Sequence, residues 1–169
     1  MTERMKGVVI GLVTDVDDPE GMGRVKVEFP WLASGSYSNW ARVANALAGP
    51  QLGAFFLPEI GDEALVAFEM DDMRRPYVLG YLYNGDNAPP ATDPQVRMIQ
   101  TVSGHKLIFD DTGGSEAIQI EDASGNKITL NADGITIESA KDVTIKGQNV
   151  TIEATAKLAA KGNPIHLNP

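Results

Sequence analysis

Lys127-Ile128-Thr129-Leu130, Gly134-Ile135-Thr136-Ile137-Glu138, Asp142-Val143-Thr144-Ile145-Lys146 and Asn149-Val150-Thr151-Ile152-Glu153 are near copies of one short unit. Lys157-Leu158-Ala159-Ala160-Lys161 and Pro164-Ile165-His166-Leu167 continue it more loosely. The leading apolar residues stand at 128, 135, 143, 150, 158 and 165, so the steps are 7, 8, 7, 8 and 7 residues. A step of seven invites a coiled-coil reading, but the content rejects it. Each unit is apolar–Thr–apolar, rich in β-branched residues and often bounded by Gly, Asn or Asp, which is the composition of a short strand. Successive side chains on a strand alternate faces, so Ile135 and Ile137 share one face and Thr136 takes the other.

A unit this small cannot bury its apolar face alone and must stack on neighbours. A single-chain solenoid needs a coil of roughly twenty residues or more. Steps of 7–8 residues are too short to wrap a coil around one core. Three identical chains sharing an axis solve this, each contributing one wall of a triangular prism. The interior of such a needle is expected to hold Ile128, Leu130, Ile135, Ile137, Val143, Ile145, Val150, Ile152 and Leu158. The expectation is therefore an all-β, homotrimeric C-terminal segment.

Working outward, the aromatics fit this division. Ten of eleven lie at or before Tyr83, the eleventh is Phe109, and residues 110–169 have none. Rings supply much of the buried area in compact cores. The first part is thus expected to pack rings within one chain, and the last to pack aliphatic stripes among three. The 169 residues contain no cysteine, which excludes disulfides, Cys-ligated metal and a thiol nucleophile. No apolar run is long enough to span a bilayer as a helix, and Met1–Lys6 lacks the apolar stretch of a secretory signal. The net charge is −9, with 13 acids against 7 bases in residues 1–90 and 10 against 7 in residues 91–169. Neither part is a basic arm, which argues against a broad nucleic-acid surface.

The first part reads as short strands with turn punctuation. Val8–Val13, Arg24–Phe29, Asn39–Ala44, Gly53–Pro58, Glu63–Glu69 and Pro76–Tyr83 carry β signals, and no stretch shows sustained helical periodicity. Several short strands within about 80 residues suggest a small barrel or sandwich. Asn84–Pro94 holds three prolines and no large apolar residue, so it reads as an extended linker. The expected divisions are 1–85 for the barrel, 86–95 for the linker, and 96–169 for the needle and tip.

Read in order, these segments resemble a known family over nearly the whole chain. They are Asp18-Pro19-Glu20-Gly21-Met22-Gly23-Arg24-Val25-Lys26-Val27-Glu28-Phe29-Pro30-Trp31, Ser38–Val43, Ala48–Phe68, Arg75–Gly85 and Thr101–Asp111, followed by the β repeat. Together they are similar to the central spike of contractile injection machines, namely the phage baseplate assembly protein V group and the C-terminal part of VgrG proteins. The resemblance implies an OB-fold barrel, a trimeric intertwined β-helix needle, and a mechanical role without catalysis or cofactor. In such machines sheath contraction drives a tube forward, and the spike at its tip punctures the target envelope. Because the chain starts at the OB-fold, whereas VgrG proteins carry a hub domain before it, a separate hub protein is expected at that end. The blunt end Pro164-Ile165-His166-Leu167 looks like the VgrG type, whose flat tip receives a PAAR-repeat cone. The implied setting is assembly in the cytoplasm into a phage tail or injection particle, with action outside the cell or at the target membrane.

Chemical candidates are few. Three His166 imidazoles meeting at a threefold tip would be a plausible metal set, but no other ligand is near, and a solvated or stacked terminal histidine is preferred. His105 follows Ser103-Gly104 and reads as structural. Asp15, Asp17, Asp18 and Glu20 lack the glycine and glutamate spacing of a calcium loop. Asp110-Asp111 and Glu59 with Asp62 lack a sugar platform for glycoside hydrolysis. Arg74-Arg75 reads either as an ion-pairing spot for a hub or neighbouring chain, or as a solvated turn. Trp31, Trp40, Phe55 and Phe56 read as barrel core or protomer contact. Two rival functions follow from the same residues: a β-helical polysaccharide-active enzyme or adhesin of a tail, and, less well supported, an OB-fold nucleic-acid binder.

Overall fold

The computed structural model describes residues 4–33 and 35–165, so His166 and Leu167 of the expected tip lie outside the described residues. The chain divides into two compact units, Met1–Pro90 and Ala91–Pro169.

The first unit contains β1 (Val8–Asp15), β2 (Lys26–Glu28), β3 (Arg42–Val43), β4 (Ala48–Gly49), β5 (Leu52–Gly53), β6 (Glu63–Phe68) and β7 (Pro76–Leu82). Five of these form one sheet in the order β2-β1-β6-β7-β3, with β3 parallel to β7. The two sheet edges then meet. Val25 and Ala41 exchange backbone hydrogen bonds of 3.0 and 2.8 Å, and Ser38 N–H donates to the Val27 carbonyl at 2.8 Å. The edge of β2 is thereby joined to the edge of β3, giving a five-stranded Greek-key barrel of the OB type. The β4–β5 hairpin stands apart from this sheet.

Alternation carries the sequence into the fold. Along β6, Ala64, Val66 and Phe68 are buried while Glu63, Leu65 and Ala67 are half-buried. Gly11 marks the tightest approach of β1 to β2. A Cβ there would stand 2.8 Å from the Glu28 carbonyl oxygen and collide with Val27. The β1–β2 turn is organised by Asp18, whose carboxylate accepts the N–H groups of Glu20, Met22 and Arg24 and the Arg24 guanidinium. That guanidinium holds the Asp18 carboxyl well below the ordinary carboxylate range.

Two expectations need correction. The barrel core is Val13, Val25, Val27, Phe29, Ala41, Ala64, Val66, Phe68 and Val78, so it is built mainly of valine, not of rings. Phe55 and Phe56 are 73% and 60% exposed. A five-stranded barrel has a narrow interior, and β-branched side chains fill it where most rings would not fit. The strand expected at Gly53–Pro58 also shrinks to the two-residue β5, Leu52–Gly53. The barrel ladder is already closed by β3 against β2 and β7, so that segment pairs only locally, through the β4–β5 hairpin and the Ala54 N–H that donates to the Leu47 carbonyl at 3.1 Å.

In the second unit, β8 (Val96–Gln100), β9 (Lys106–Asp110), β10 (Ala117–Glu121), β11 (Lys127–Asn131) and β12 (Gly134–Glu138) form an antiparallel meander in chain order. Asp122 holds the β10–β11 turn by accepting from Ser124 N–H and Asn126 N–H at 2.8 and 2.9 Å. The first two copies of the sequence repeat therefore pair as the β11–β12 hairpin, with Leu130 opposite Ile135 and Ile128 opposite Ile137. Among the described residues the later copies, from Asp142 to Ile165, carry no strand and are exposed. Their composition is that of a strand, but a ladder needs a neighbouring backbone, and among the described residues they have none.

Candidate functional site

The register of the second sheet sorts its residues into two unlike faces. One cross-strand row is Ile99, Leu107, Ile120, Ile128 and Ile137. The next row on the same side is Arg97, Phe109, Ile118, Leu130 and Ile135. Nine of these ten positions are apolar, and the exception, Arg97, sits on the edge strand β8 in an ion pair with Asp111. The opposite face carries the row Gln100, Lys106, Glu121, Lys127 and Glu138, which alternates in charge from Lys106 onward. Lys106 Nζ lies 3.6 Å from Glu121 Oε1. The neighbouring row on that side, Met98, Ile108, Gln119, Thr129 and Thr136, is mixed, so one face is mainly polar and charged, and the other is a continuous hydrocarbon surface.

Within one chain that hydrocarbon surface is uncovered. Ile135 is 71% exposed, and the tail residues Ile145 and Ile152 are comparably open. The beginning of the tail bends over one end of the sheet. Ser139 Oγ donates to Asn126 Oδ1 at 2.6 Å and accepts Lys141 N–H at 3.0 Å, fixing where the tail departs. Together they bound an open groove of about 890 Å³, whose apolar walls include Leu107, Ile120, Ile128, Ile137 and Val143. Contiguous exposed apolar area of this kind marks an association surface.

Ile128, Leu130, Ile135 and Ile137, expected as interior residues, share this face. Val143, Ile145, Val150, Ile152 and Leu158 lie exposed on the tail, as do Pro164 and Ile165. Sequence reasoning missed Ile99, Leu107, Phe109, Ile118 and Ile120. The signal was present as alternation in Ala117-Ile118-Gln119-Ile120-Glu121 and as the apolar run Leu107-Ile108-Phe109 between Lys106 and Asp110, but the repeat period drew attention to the residues after them.

The carboxylate candidates are occupied with structure. Asp110 accepts Thr112 N–H at 2.9 Å, and bonding from Thr112 lowers its pKa, the wrong direction for a general acid. Asp62 accepts Glu59 N–H at 2.9 Å within a turn. His105 Nδ1 accepts Ala123 N–H at 3.3 Å. Arg74 and Arg75 pair within the chain, with Asp72 at 2.8 Å and Glu69 at 3.3 Å. Trp31 donates from Nε1 to the Ile10 carbonyl at 2.9 Å, and Trp40 lies under Lys26, whose Nζ is 4.6 Å from the ring centroid. Among the described residues no three His, Asp or Glu side chains form a metal-holding group.

Comparison with known proteins agrees with both units. Residues 9–83 match the type VI secretion system/phage-baseplate injector OB domain, and residues 95–157 match the phage baseplate V C-terminal trimerisation domain. The chain is 34% identical over 131 residues to the actin cross-linking toxin VgrG1 of Vibrio cholerae, covering 64% of this chain and 12% of that protein. It is 35% identical over 111 residues to the type VI secretion system spike protein VgrG3 of V. cholerae, covering 59% of this chain and 11% of the relative. It is 32% identical over 124 residues to the spike protein VgrG5 of Pseudomonas aeruginosa, covering 71% of this chain and 15% of the relative. The chain thus spans a small fraction of the length of these curated relatives. An OB barrel followed by a trimerisation domain is the plan of a baseplate spike. The chain belongs to the phage baseplate V family.

Proposed function

We propose that three copies of this chain form the central spike of a contractile injection machine, a structural part that sits at the tube tip and breaches the target envelope. The observation that carries this reading is the uncovered apolar face of β8–β12, running into a tail of apolar repeats without an intrachain ladder. Three such sheets, each turning its apolar rows inward and its charged rows outward, make the walls of a prism. The repeats at Val143, Val150 and Leu158 then find in the other two chains the backbone partners they lack in their own. The trimerisation domain matched at residues 95–157 supports the same stoichiometry. A needle in which every rung joins three chains is stiff along its axis, which is what puncturing requires.

In this reading a hub protein holds the OB end, a PAAR-repeat cone caps the Pro164–Leu167 end, and tube proteins transmit the thrust. Assembly takes place in the cytoplasm and action at the target membrane. The toxin activity in the name of VgrG1 belongs to a protein of which this chain matches 12%, and it is not carried over. The deciding experiment is to isolate the particles from the source cell and locate this chain by gold labelling. Label at the tube tip at three copies per particle is expected. Label along fibres or free in solution, or turnover of envelope glycans by the purified chain, would replace the spike reading with the tail-enzyme or adhesin one.

A further inference from the structure

The polar face of the second unit carries an order of charge that one chain leaves unfinished. By register, Lys106 lies beside Glu121, Glu121 beside Lys127 and Lys127 beside Glu138. There the sheet stops, because among the described residues β12 pairs with β11 alone. The sequence carries the order further. Each later repeat closes on a charged residue that shares a strand face with the middle residue of its unit. These closing residues are Lys146, Glu153 and Lys161. Added to the row of the sheet, they continue its alternation of sign without a break.

Two pairings would match the apolar residues of Asp142–Lys146 to those of β12. In a hairpin within the chain, Val143 stands opposite Ile137 and Ile145 opposite Ile135, which sets Asp142 opposite Glu138. Like charges directly opposed across a ladder are destabilising. The next hairpin, with Val150 opposite Ile145, sets Glu153 opposite Asp142 and repeats the fault. In a parallel pairing, Val143 lies beside Ile135 and Ile145 beside Ile137, which sets Lys146 beside Glu138. A chain does not return parallel to its own strand without a crossover of about a dozen residues. Only Ser139-Ala140-Lys141 separate β12 from the next repeat. A second copy is free of that limit.

We propose that the free edge of β12 receives the Asp142–Lys146 segment of another copy in parallel. An outer column of ion pairs between copies, Glu138 with Lys146, Lys146 with Glu153 and Glu153 with Lys161, selects this stacking over hairpins within a chain. One exposed ion pair is worth little in energy. Here each pair recurs in every copy, and what it decides is which of two neighbours is accepted. The inference rests on the self-association of the second unit and adds to it the edge, the direction and the register.

The chain has no cysteine, so disulfide trapping in the full chain reads only the positions introduced. Residues side by side on adjacent strands have Cα atoms about 4.8 Å apart, within reach of a disulfide. Glu138→Cys with Lys146→Cys is expected to oxidise to a closed covalent trimer on a non-reducing gel. Glu138→Cys with Asp142→Cys is expected to keep its thiols free. A disulfide within one chain in the second variant overturns the pairing. So does the absence of a disulfide between copies in the first, where light scattering still reports a trimer. A monomeric mass for the unaltered chain overturns the self-association itself, and the pairing with it. The charges have their own test. Lys146→Glu should lower the urea concentration at which the trimer mass is lost, and Lys146→Gln should lower it less. Salt at about 1 M should narrow the gap between the two variants. Equal shifts for both, or a gap that salt leaves unchanged, overturn the selection by charge.

Discussion

The two units are both five-stranded sheets of short, period-2 strands, yet they solve the burial problem in opposite ways. In the barrel, the Val25–Ala41 hydrogen bonds join the sheet edges, and Val25, Val27, Ala64, Val66 and Val78 reach zero exposure. In the meander the edges β8 and β12 stay apart, and among the described residues none after Val78 is buried. Closure is what separates them. A closed sheet makes an inside from one chain, whereas an open sheet with one apolar face must take its inside from other copies. The contrast teaches that alternation alone does not tell whether a sheet is self-sufficient.

The comparison can be broken most severely at the tail. Ile145→Asp places three carboxylates at the axis if Ile145 faces inward. Burying unpaired charge costs several kcal/mol per ion, so multi-angle light scattering should report a monomer in place of a trimer. The barrel should stay folded by tryptophan fluorescence. A trimer of unchanged mass would show that Ile145 faces outward or that the tail does not hold the trimer.

A barrel substitution should do the reverse. Phe29 is buried and packs against Trp31 and Phe68 with ring centroids 5.6 and 5.8 Å away. Phe29→Ala should cost about 3–5 kcal/mol in urea unfolding of the barrel, with the trimer mass intact. Loss of the trimer together with the barrel would mean that the units do not stand independently.

Gly11→Ala sharpens the point at the level of one methyl group. The added Cβ meets Val27 and the Glu28 carbonyl across the β1–β2 ladder, and the expected cost is about 1–3 kcal/mol by the same unfolding measurement. A glycine without such a neighbour, Gly80, should accept alanine with less effect.

The smallest effect is an acid sensitivity that one ion pair adds to the barrel. Arg74 and its backbone N–H lower the Asp72 pKa from 3.8 to about 2. The folded state therefore holds fewer protons than the unfolded one within that window. The resulting stability is present above pH 3.8 and is lost as pH falls toward 2. Arg74→Gln should flatten the acid limb of the barrel's stability curve; an unchanged limb would remove Asp72 from the account.

Much of this was legible beforehand. Alternation in Arg24–Phe29 and in Gly134–Glu138 fixed strand identity and face, because side-chain direction on a strand has period 2 whatever surrounds it. The repeat step of 7–8 residues ruled out a coil around a single-chain core, since so short a path cannot enclose one. The ring count was legible but misread. It separated the two parts correctly and then suggested an aromatic barrel core, whereas only Phe29 and Phe68 are inside.

What the sequence determined by itself was local: which residues extend, where Pro and Gly stop them, and which side of each strand is apolar. What only the tertiary structure decided was pairing. Whether β2 reaches β3, whether Leu107 and Phe109 fall into the same rows as Ile128 and Leu130, and whether Glu121 is set between Lys106 and Lys127 all depend on contacts between residues distant in the chain. Those contacts are set by closure and register, and a local pattern repeats unchanged under either outcome.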